Sequence, residues 1–160
     1  TFAKEPVTQR VITAAAQTTR FAIPAGAANH AVSASMTLQE DSTFLGLLPH
    51  MHLRGKSFVY KAVYPTGESE TLLNVPNYRF DWQLWYEFAE PKLMPKGTRL
   101  EVTGTFDNSA NNKFNPDPTK EVRHGEQSWE EMMMGFFDVA IDVKMNPMDL
   151  FRPKKAKSDD

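Results

Sequence analysis

The sequence predicts an all-β protein, an antiparallel jelly-roll β-sandwich built as a single domain, and three observations predict it. Short apolar or β-branched runs recur along the whole chain of 160 residues. Most of them alternate apolar and polar residues with the period of two that strands have. Turn signals separate the runs, and the chain contains 11 prolines and 8 glycines. Many short strands joined by regular turns are typical of sandwiches and jelly rolls.

Nine segments carry the strand pattern. In chain order they span residues 10–14, 18–23, 31–38, 43–52, 57–64, 70–74, 78–88, 98–106 and 133–144. Proline and glycine mark the turns between several of them, at Pro24-Ala25-Gly26, Pro65-Thr66-Gly67, Pro95-Lys96-Gly97 and Asn115-Pro116-Asp117-Pro118. Such clusters favour β-turns because proline presets one backbone angle and glycine accepts positive φ.

The remaining segments read as loops and a tail around one domain over residues 1–150. Residues 106–126 are polar and rich in asparagine and proline, which predicts a long ordered loop. Ser128 and Glu131 have the spacing of a helix capping box. The period-two alternation that follows favours a strand over 133–144 instead. Residues 151–160 are predicted to form a polar C-terminal tail.

Composition excludes several classes of function. The 18 basic and 20 acidic residues give a net charge of -2. This charge gives no reason to expect binding to nucleic acid or to an anionic membrane surface. No run of 18 apolar residues exists that could span a bilayer. Cysteine is absent, which excludes disulfides and thiolate chemistry. The chain begins at Thr1 without a signal peptide, and we expect a processed or trimmed piece of a longer product.

His50 and His52 are the first candidate functional residues. Side chains at i and i+2 of a strand project from one face, so both imidazoles lie on the same side of the predicted strand 43–52. The odd positions are apolar and predict a core face: Leu45, Leu47, Met51 and Leu53. The even positions from 44 to 56 predict a wetter face. Two imidazoles there can hold a transition metal, although His-x-His pairs also occur as ordinary surface histidines.

Met132 is the third candidate. In the predicted strand 133–144 the core face carries Met133, Phe137, Val139, Ile141 and Val143. The other face is mixed and carries Met132, Met134, Phe136, Asp138 and Asp142. A thioether beside two imidazoles would form a soft site suited to copper. A methionine in an apolar run is also common core filler, and the spacing alone does not bring residue 132 to residue 50.

Four short motifs occur in order along the chain: PHMHLRGKS at 49–57, YRFDWQ at 78–83 with Tyr86, DNS at 107–109 and GEQSWEEM at 125–132. Together they resemble the C-terminal domain of the copper type II, ascorbate-dependent monooxygenases, the family of peptidylglycine α-hydroxylating monooxygenase and dopamine β-monooxygenase. They lie between residues 28 and 145, which is most of the chain. The chain is more similar to bacterial relatives than to the animal enzymes.

The resemblance implies a jelly-roll domain with one copper site. His50, His52 and Met132 match the family's ligands to the copper that activates O2. The resemblance implies no catalytic residues beyond these metal ligands. The family hydroxylates an activated C–H bond with ascorbate as electron donor. The resemblance also implies a periplasmic or extracellular location.

The chain departs from the family in ways that bear on the substrate and the electron source. The family's second copper site, three histidines in a separate N-terminal domain, has no counterpart here. Electrons would then come from another domain or subunit, such as a cytochrome. The peptide-binding Arg, Asn and Tyr of amidating members are replaced by Leu48, Met134 and Phe136. This argues against a glycine-extended peptide and favours a less polar substrate.

The roles of the two other histidines and of one Asx motif have alternative interpretations. His30 opens a predicted strand, which favours a strand-end role over metal ligation. His124 precedes the GEQSWEEM run and is a candidate for an extra ligand or a hydrogen-bond partner of a ligand. Asp107-Asn108-Ser109 predicts an Asx turn, with a hard cation site as the alternative.

The sequence fits two functions besides the oxygen-activating half of a monooxygenase. One is a non-catalytic copper-binding or electron-transfer module, and the other is a structural interaction subunit of a larger assembly.

Overall fold

The computed structural model describes residues 4–152 of the chain. Within this range the chain forms ten strands and one short 3-10 helix. The strands are β1 (Gln9–Gln17), β2 (Ala22–Ile23), β3 (His30–Thr37), β4 (Ser42–His50), β5 (Gly55–Val63), β6 (Ser69–Val75), β7 (Tyr86–Met94), β8 (Arg99–Phe106), β9 (Val122–Arg123) and β10 (Met134–Asp142). The 3-10 helix spans Pro147–Leu150. None of the described segments forms a helix with the length and hydropathy that crossing a bilayer requires.

Eight of the strands form two four-stranded antiparallel sheets, which confirms the predicted sandwich. One sheet has the order β1-β10-β4-β7 and the other β3-β8-β5-β6. Chain-distant strands such as β1 and β10 are therefore neighbours, which is the connectivity of a double-sheet jelly roll. The strands β2 and β9 pair separately. The large aromatic side chains lie between the sheets: Phe44, Phe58, Tyr60, Phe106 and Phe137.

A β-bulge in β4 corrects one part of the predicted face assignment. Phe44 pairs with Val139 and Gly46 with Asp138, so Leu45 is an extra residue on β4. The extra residue changes the parity of the strand. Phe44, which simple alternation placed on the face of the histidines, is therefore fully buried and stacks on Phe137 at 4.7 Å. After the bulge, Leu47 and Met51 face the core as predicted.

The predicted strand 78–88 is wrong in its first half. Residues 76–85 form an irregular segment, and β7 begins at Tyr86 and continues through Pro91 to Met94. Proline lacks an N–H and is tolerated because β7 is an edge strand that pairs only with β4. The irregular segment before β7 carries Tyr78 and Gln83 toward the histidines.

The last described residues pack against the sandwich. Val143 was predicted on the core face, but it lies beyond β10 and is exposed. Leu150 is buried, and the ring of Phe151 packs edge-on against Phe137 at 6.3 Å. The compact part of the chain therefore continues into the first residue of the predicted tail. Residues 153–160 of that tail lie outside the described residues.

Candidate metal centre

The two histidines lie together where β4 ends. His50 is the last residue of β4, and His52 follows it in the short connection to β5. Their ring centres are 5.1 Å apart and the rings are nearly perpendicular at 83°. Two imidazoles that share one metal ion through bonds of about 2.0–2.1 Å have ring centres about 5 Å apart. The observed separation fits a shared ion.

Hydrogen bonds at Nδ1 determine which nitrogen of each histidine is free. Gln83 donates from Nε2 to the Phe80 carbonyl at 2.9 Å, so its Oε1 is the acceptor that faces His50 Nδ1 at 2.7 Å. The Glu130 carbonyl oxygen accepts from His52 Nδ1 at 3.3 Å. Both Nδ1 atoms therefore carry the proton, and each neutral ring keeps a lone pair on Nε2. The backbone of Gln127 also hydrogen-bonds to the His52 side chain. Metal-binding histidines are commonly oriented in this way.

The residue between the histidines is clamped by a buried tyrosine. The Tyr78 hydroxyl accepts the backbone N–H of Met51 at 2.9 Å and donates to the Met51 carbonyl at 2.5 Å. Burial raises the pKa of Tyr78, so the hydroxyl keeps its proton. Gly55 lies against the Tyr78 ring, which leaves no space for a side chain at that position. The clamp holds the backbone from which both imidazoles project.

Glu131 holds the backbone on the other side of His52. Its carboxylate accepts the backbone N–H of Arg54 at 2.7 Å and that of His52 at 2.8 Å, and it is fully buried. Burial raises the pKa of Glu131 to about 7, although these donors and the guanidinium of Arg54 oppose the shift. Since Met132 is the next residue, one carboxylate links the histidine segment to the methionine segment.

Arg54 connects the site to the long asparagine-rich loop. Its Nε donates to Asn108 Oδ1 at 2.9 Å, and its Nη1 donates to the Trp129 carbonyl at 2.8 Å. Asn108 is itself fully buried, and its amide donates to the carbonyls of Pro24 and Lys120. The predicted Asx turn is present, since Asp107 Oδ1 accepts the Ser109 N–H at 3.0 Å. The loop is therefore ordered by buried hydrogen bonds, as predicted.

Strand register places Met134 beside His50, and Met132 lies two residues before that pair. Met134 pairs with His50 in the antiparallel ladder of β4 and β10, which ends there. The same register, continued two residues, would set Met132 opposite His52. Met51 and Met133 both pack against Gly104 in the core, so their neighbours in each chain project to the opposite side. Met132 is half-buried there.

The environment of His52 favours its neutral form. His52 is only 5% exposed, and burial, followed by the proximity of His50, lowers the pKa of His52. Neutral imidazole is the form that binds a metal. Aromatic rings flank the pair, with Phe80 at 5.9 Å from His52 and Phe136 at 6.2 Å from His50.

The other two histidines lie elsewhere. His30 is the first residue of β3 in the opposite sheet, in the strand-end position that the sequence predicts. His124 forms an isolated bridge with Glu131, and its ring packs edge-on against Phe21 at 6.2 Å. Its ring therefore faces the β2 side of the molecule. The role of His124 beside the ligands stays a prediction.

Three residues that orient the site were not assigned this role from the sequence. They are Tyr78, Gln83 and Glu131, and all three lie inside the motifs that carry the family resemblance. The signal was therefore present, but the contacts span 27, 33 and 79 positions of chain. Among residues 4–152, no group of three or more His, Cys, Asp or Glu side chains is placed to hold a metal. Methionine is not among these four residue types.

The fold and the site define an all-β sandwich with a candidate metal centre of two imidazoles and a thioether. No protein-family model matches the chain, and no curated protein matches it. Among solved structures, the VP2 subviral particle of infectious bursal disease virus aligns with a TM-score of 0.42 and 12% identity, over 89% of this chain and 35% of that chain.

The T13 viral particle of the same virus aligns with a TM-score of 0.39 and 9% identity, over 94% of this chain and 37% of that chain. This chain therefore spans about a third of the length of these structures. At such TM-scores and identities, the likeness says nothing about the function of this chain.

Proposed function

We propose that this chain binds one copper ion through His50, His52 and Met132, and that it is the oxygen-activating half of a copper-dependent monooxygenase. The observation that carries the proposal is the orientation of the histidines. Gln83 and the Glu130 carbonyl accept from both Nδ1–H groups, which leaves a lone pair on each Nε2. Two imidazoles and a thioether form a donor set suited to copper rather than to calcium or magnesium.

The chain's own residues prepare the site for that ion. Burial keeps His52 neutral, Tyr78 and Glu131 fix the backbone on either side of it, and Gln83 sets the ring of His50. Copper bound there would supply the activation of O2 for hydroxylation of a C–H bond. Three protein donors leave further coordination positions open.

The surroundings of the histidines support a weakly polar substrate. Leu48 and Phe136 are cross-strand partners beside His50, and Phe80 lies against His52. A polar or charged substrate would lose solvation against these side chains without gaining hydrogen bonds. The substrate class proposed is therefore a largely apolar molecule with an activated C–H bond.

Electron supply and location belong to the same proposal. Ascorbate, or an electron-donating domain or subunit such as a cytochrome, would reduce the copper. A periplasmic or extracellular location follows from the family resemblance.

A non-catalytic copper-holding module is the second candidate function. A half-buried thioether favours Cu(I) in such a module as much as it does in a monooxygenase.

Metal analysis of protein purified without chelator, followed by titration with Cu(I), tests the proposal. We expect one copper per chain and weaker Cu(I) binding by Met132→Ile, because the thioether is lost while the volume is nearly kept. Met36→Ile, on β3 in the opposite sheet, is the matched control. Unchanged Cu(I) affinity in Met132→Ile would remove this residue from the site.

A second measurement separates the two candidate functions. Copper binding with ascorbate-dependent oxygen uptake supports the monooxygenase. Copper binding without oxygen uptake, even with an added electron donor, favours the copper-holding module. A folded His50→Ala/His52→Ala double variant that still binds copper as tightly as the wild type would reject both.

A further inference from the structure

We propose that Met134 is a second thioether ligand, so that His50, His52, Met132 and Met134 form a site of two nitrogens and two sulfurs for Cu(I). The inference rests on the proposed copper site and extends it. It starts from two short motifs that face each other. One is His50-x-His52 at the end of β4, and the other is Met132-x-Met134 at the start of β10.

The register of β4 and β10 aligns the two motifs. Met134 and His50 are direct antiparallel partners. The ladder ends at this pair, and continuation of its register by two residues would set Met132 opposite His52. Directly opposed side chains have Cβ atoms about 4.5–5.5 Å apart, and residues two apart on one strand share a face. Met134 and His50 therefore form a cross-strand pair, with Met132 and His52 two residues beyond it on the two segments.

Independent contacts show that these pairs lie on one face. The residues between them, Met51 and Met133, both contact Gly104 in the core between the sheets. Phe136, which is two positions after Met134, has its ring 6.2 Å from that of His50. Met134 therefore projects to the same side as His50 and is half-buried there.

The chemistry of the quartet favours Cu(I). Thioethers are soft, uncharged donors that bind Cu(I) well and Cu(II) poorly. A second thioether therefore raises the affinity for Cu(I) and the reduction potential, with little effect on Cu(II). Met134 would also occupy one coordination position of the copper ion, which would slow the binding of any further ligand.

X-ray absorption at the copper edge of the Cu(I)-loaded chain is the primary test. We expect two sulfur ligands in the wild type and one in Met134→Leu. We also expect the variant to bind Cu(I) at least about tenfold more weakly and to have a lower reduction potential. Met133→Leu is the matched control, because this neighbouring methionine faces the core, and its sulfur count should stay at two.

The outcomes distinguish this inference from the proposed function. One sulfur ligand in the wild type would overturn the site of two thioethers, and an unchanged count and Cu(I) affinity in Met134→Leu would assign Met134 to packing. The wild-type count gives this answer even if the variant is poorly folded. Copper retained in the His50→Ala/His52→Ala variant would instead reject the copper site itself.

Discussion

At the scale of single residues, the candidate site depends on groups that orient the ligands. Metal-binding histidines commonly donate their other ring N–H to a partner, and here Gln83 and the Glu130 carbonyl accept from Nδ1. Tyr78 and Glu131 act one step further away, on backbone N–H and carbonyl groups. The two histidines are therefore held through Nδ1 and through the backbone on either side of them.

Glu131 should make the stability of the metal-free protein depend on pH. Burial raises its pKa from 4.5 to about 7, so the folded protein retains a proton that the unfolded chain loses. The stabilisation is present below about pH 4.5 and is lost as the pH rises through about 7. A shift of this size corresponds to about 3 kcal/mol. In Glu131→Gln this loss between pH 5 and 8 should disappear.

Chemical denaturation at several pH values measures the effect. His52 titrates in both proteins, and its lowered pKa acts in the opposite direction, since stability is lost as the pH falls below 6.5. The difference between the wild type and Glu131→Gln therefore isolates Glu131. Parallel pH profiles for the two proteins would contradict the assignment.

At the scale of elements, the connections around the sheets position the site as much as the strands do. The irregular segment before β7 carries Tyr78 and Gln83, and the turn at residues 127–130 supplies the Glu130 carbonyl. The loop between β8 and β9 supports Arg54 through Asn108. These segments are ordered by side-chain hydrogen bonds to backbone groups, which is how buried loops satisfy their polar atoms.

Asn108 should be essential to the order of its loop. Its side chain accepts from Arg54 and Asn115 and donates to two carbonyls. Asn108→Ala leaves these buried groups without partners, and we expect a loss of roughly 3 kcal/mol in unfolding free energy. Asn111→Ala, at an exposed position of the same loop, is the control for denaturant unfolding. Equal stability of both variants would show that the loop holds without Asn108.

At the scale of the whole molecule, the jelly roll brings chain-distant strands together beneath the site. In one sheet β10, the last strand, lies between β1, the first strand, and β4. The two sheets approach closely at Gly135, where an added Cβ would lie 2.7 Å from a Val102 methyl. Tyr60 reaches across from the opposite sheet to the Phe136 carbonyl at 3.0 Å.

Gly135→Ala should therefore separate the sheets locally. We expect a loss of about 1–3 kcal/mol, the usual cost of an additional methyl group in a packed core. Ser35→Thr adds one methyl group to an exposed position of β3 and should change stability by less than about 0.5 kcal/mol. Thermal unfolding of both variants measures the difference. A Gly135→Ala variant as stable as the wild type would mean that the space between the sheets adapts at this point.

Local patterns in the sequence predict the all-β class and most of the strands. They also predict the core alternation of Phe137, Val139 and Ile141 in β10. These follow from local periodicity, since a side chain's face depends only on its position along its own strand. The same local reasoning failed at Phe44, because the bulge at Leu45 arises from pairing with a strand far along the chain.

The groups that surround the histidines are apparent only in the folded protein. Tyr78, Gln83 and Glu131 reach them from 27 to 79 positions away, and no local pattern encodes contacts over such distances. Where the sequence predicts a strand from residue 78, the chain forms an irregular segment whose side chains hydrogen-bond to Met51 and His50. The strands thus follow from short-range alternation, whereas the site follows from long-range pairing, which exists only once both sheets have formed.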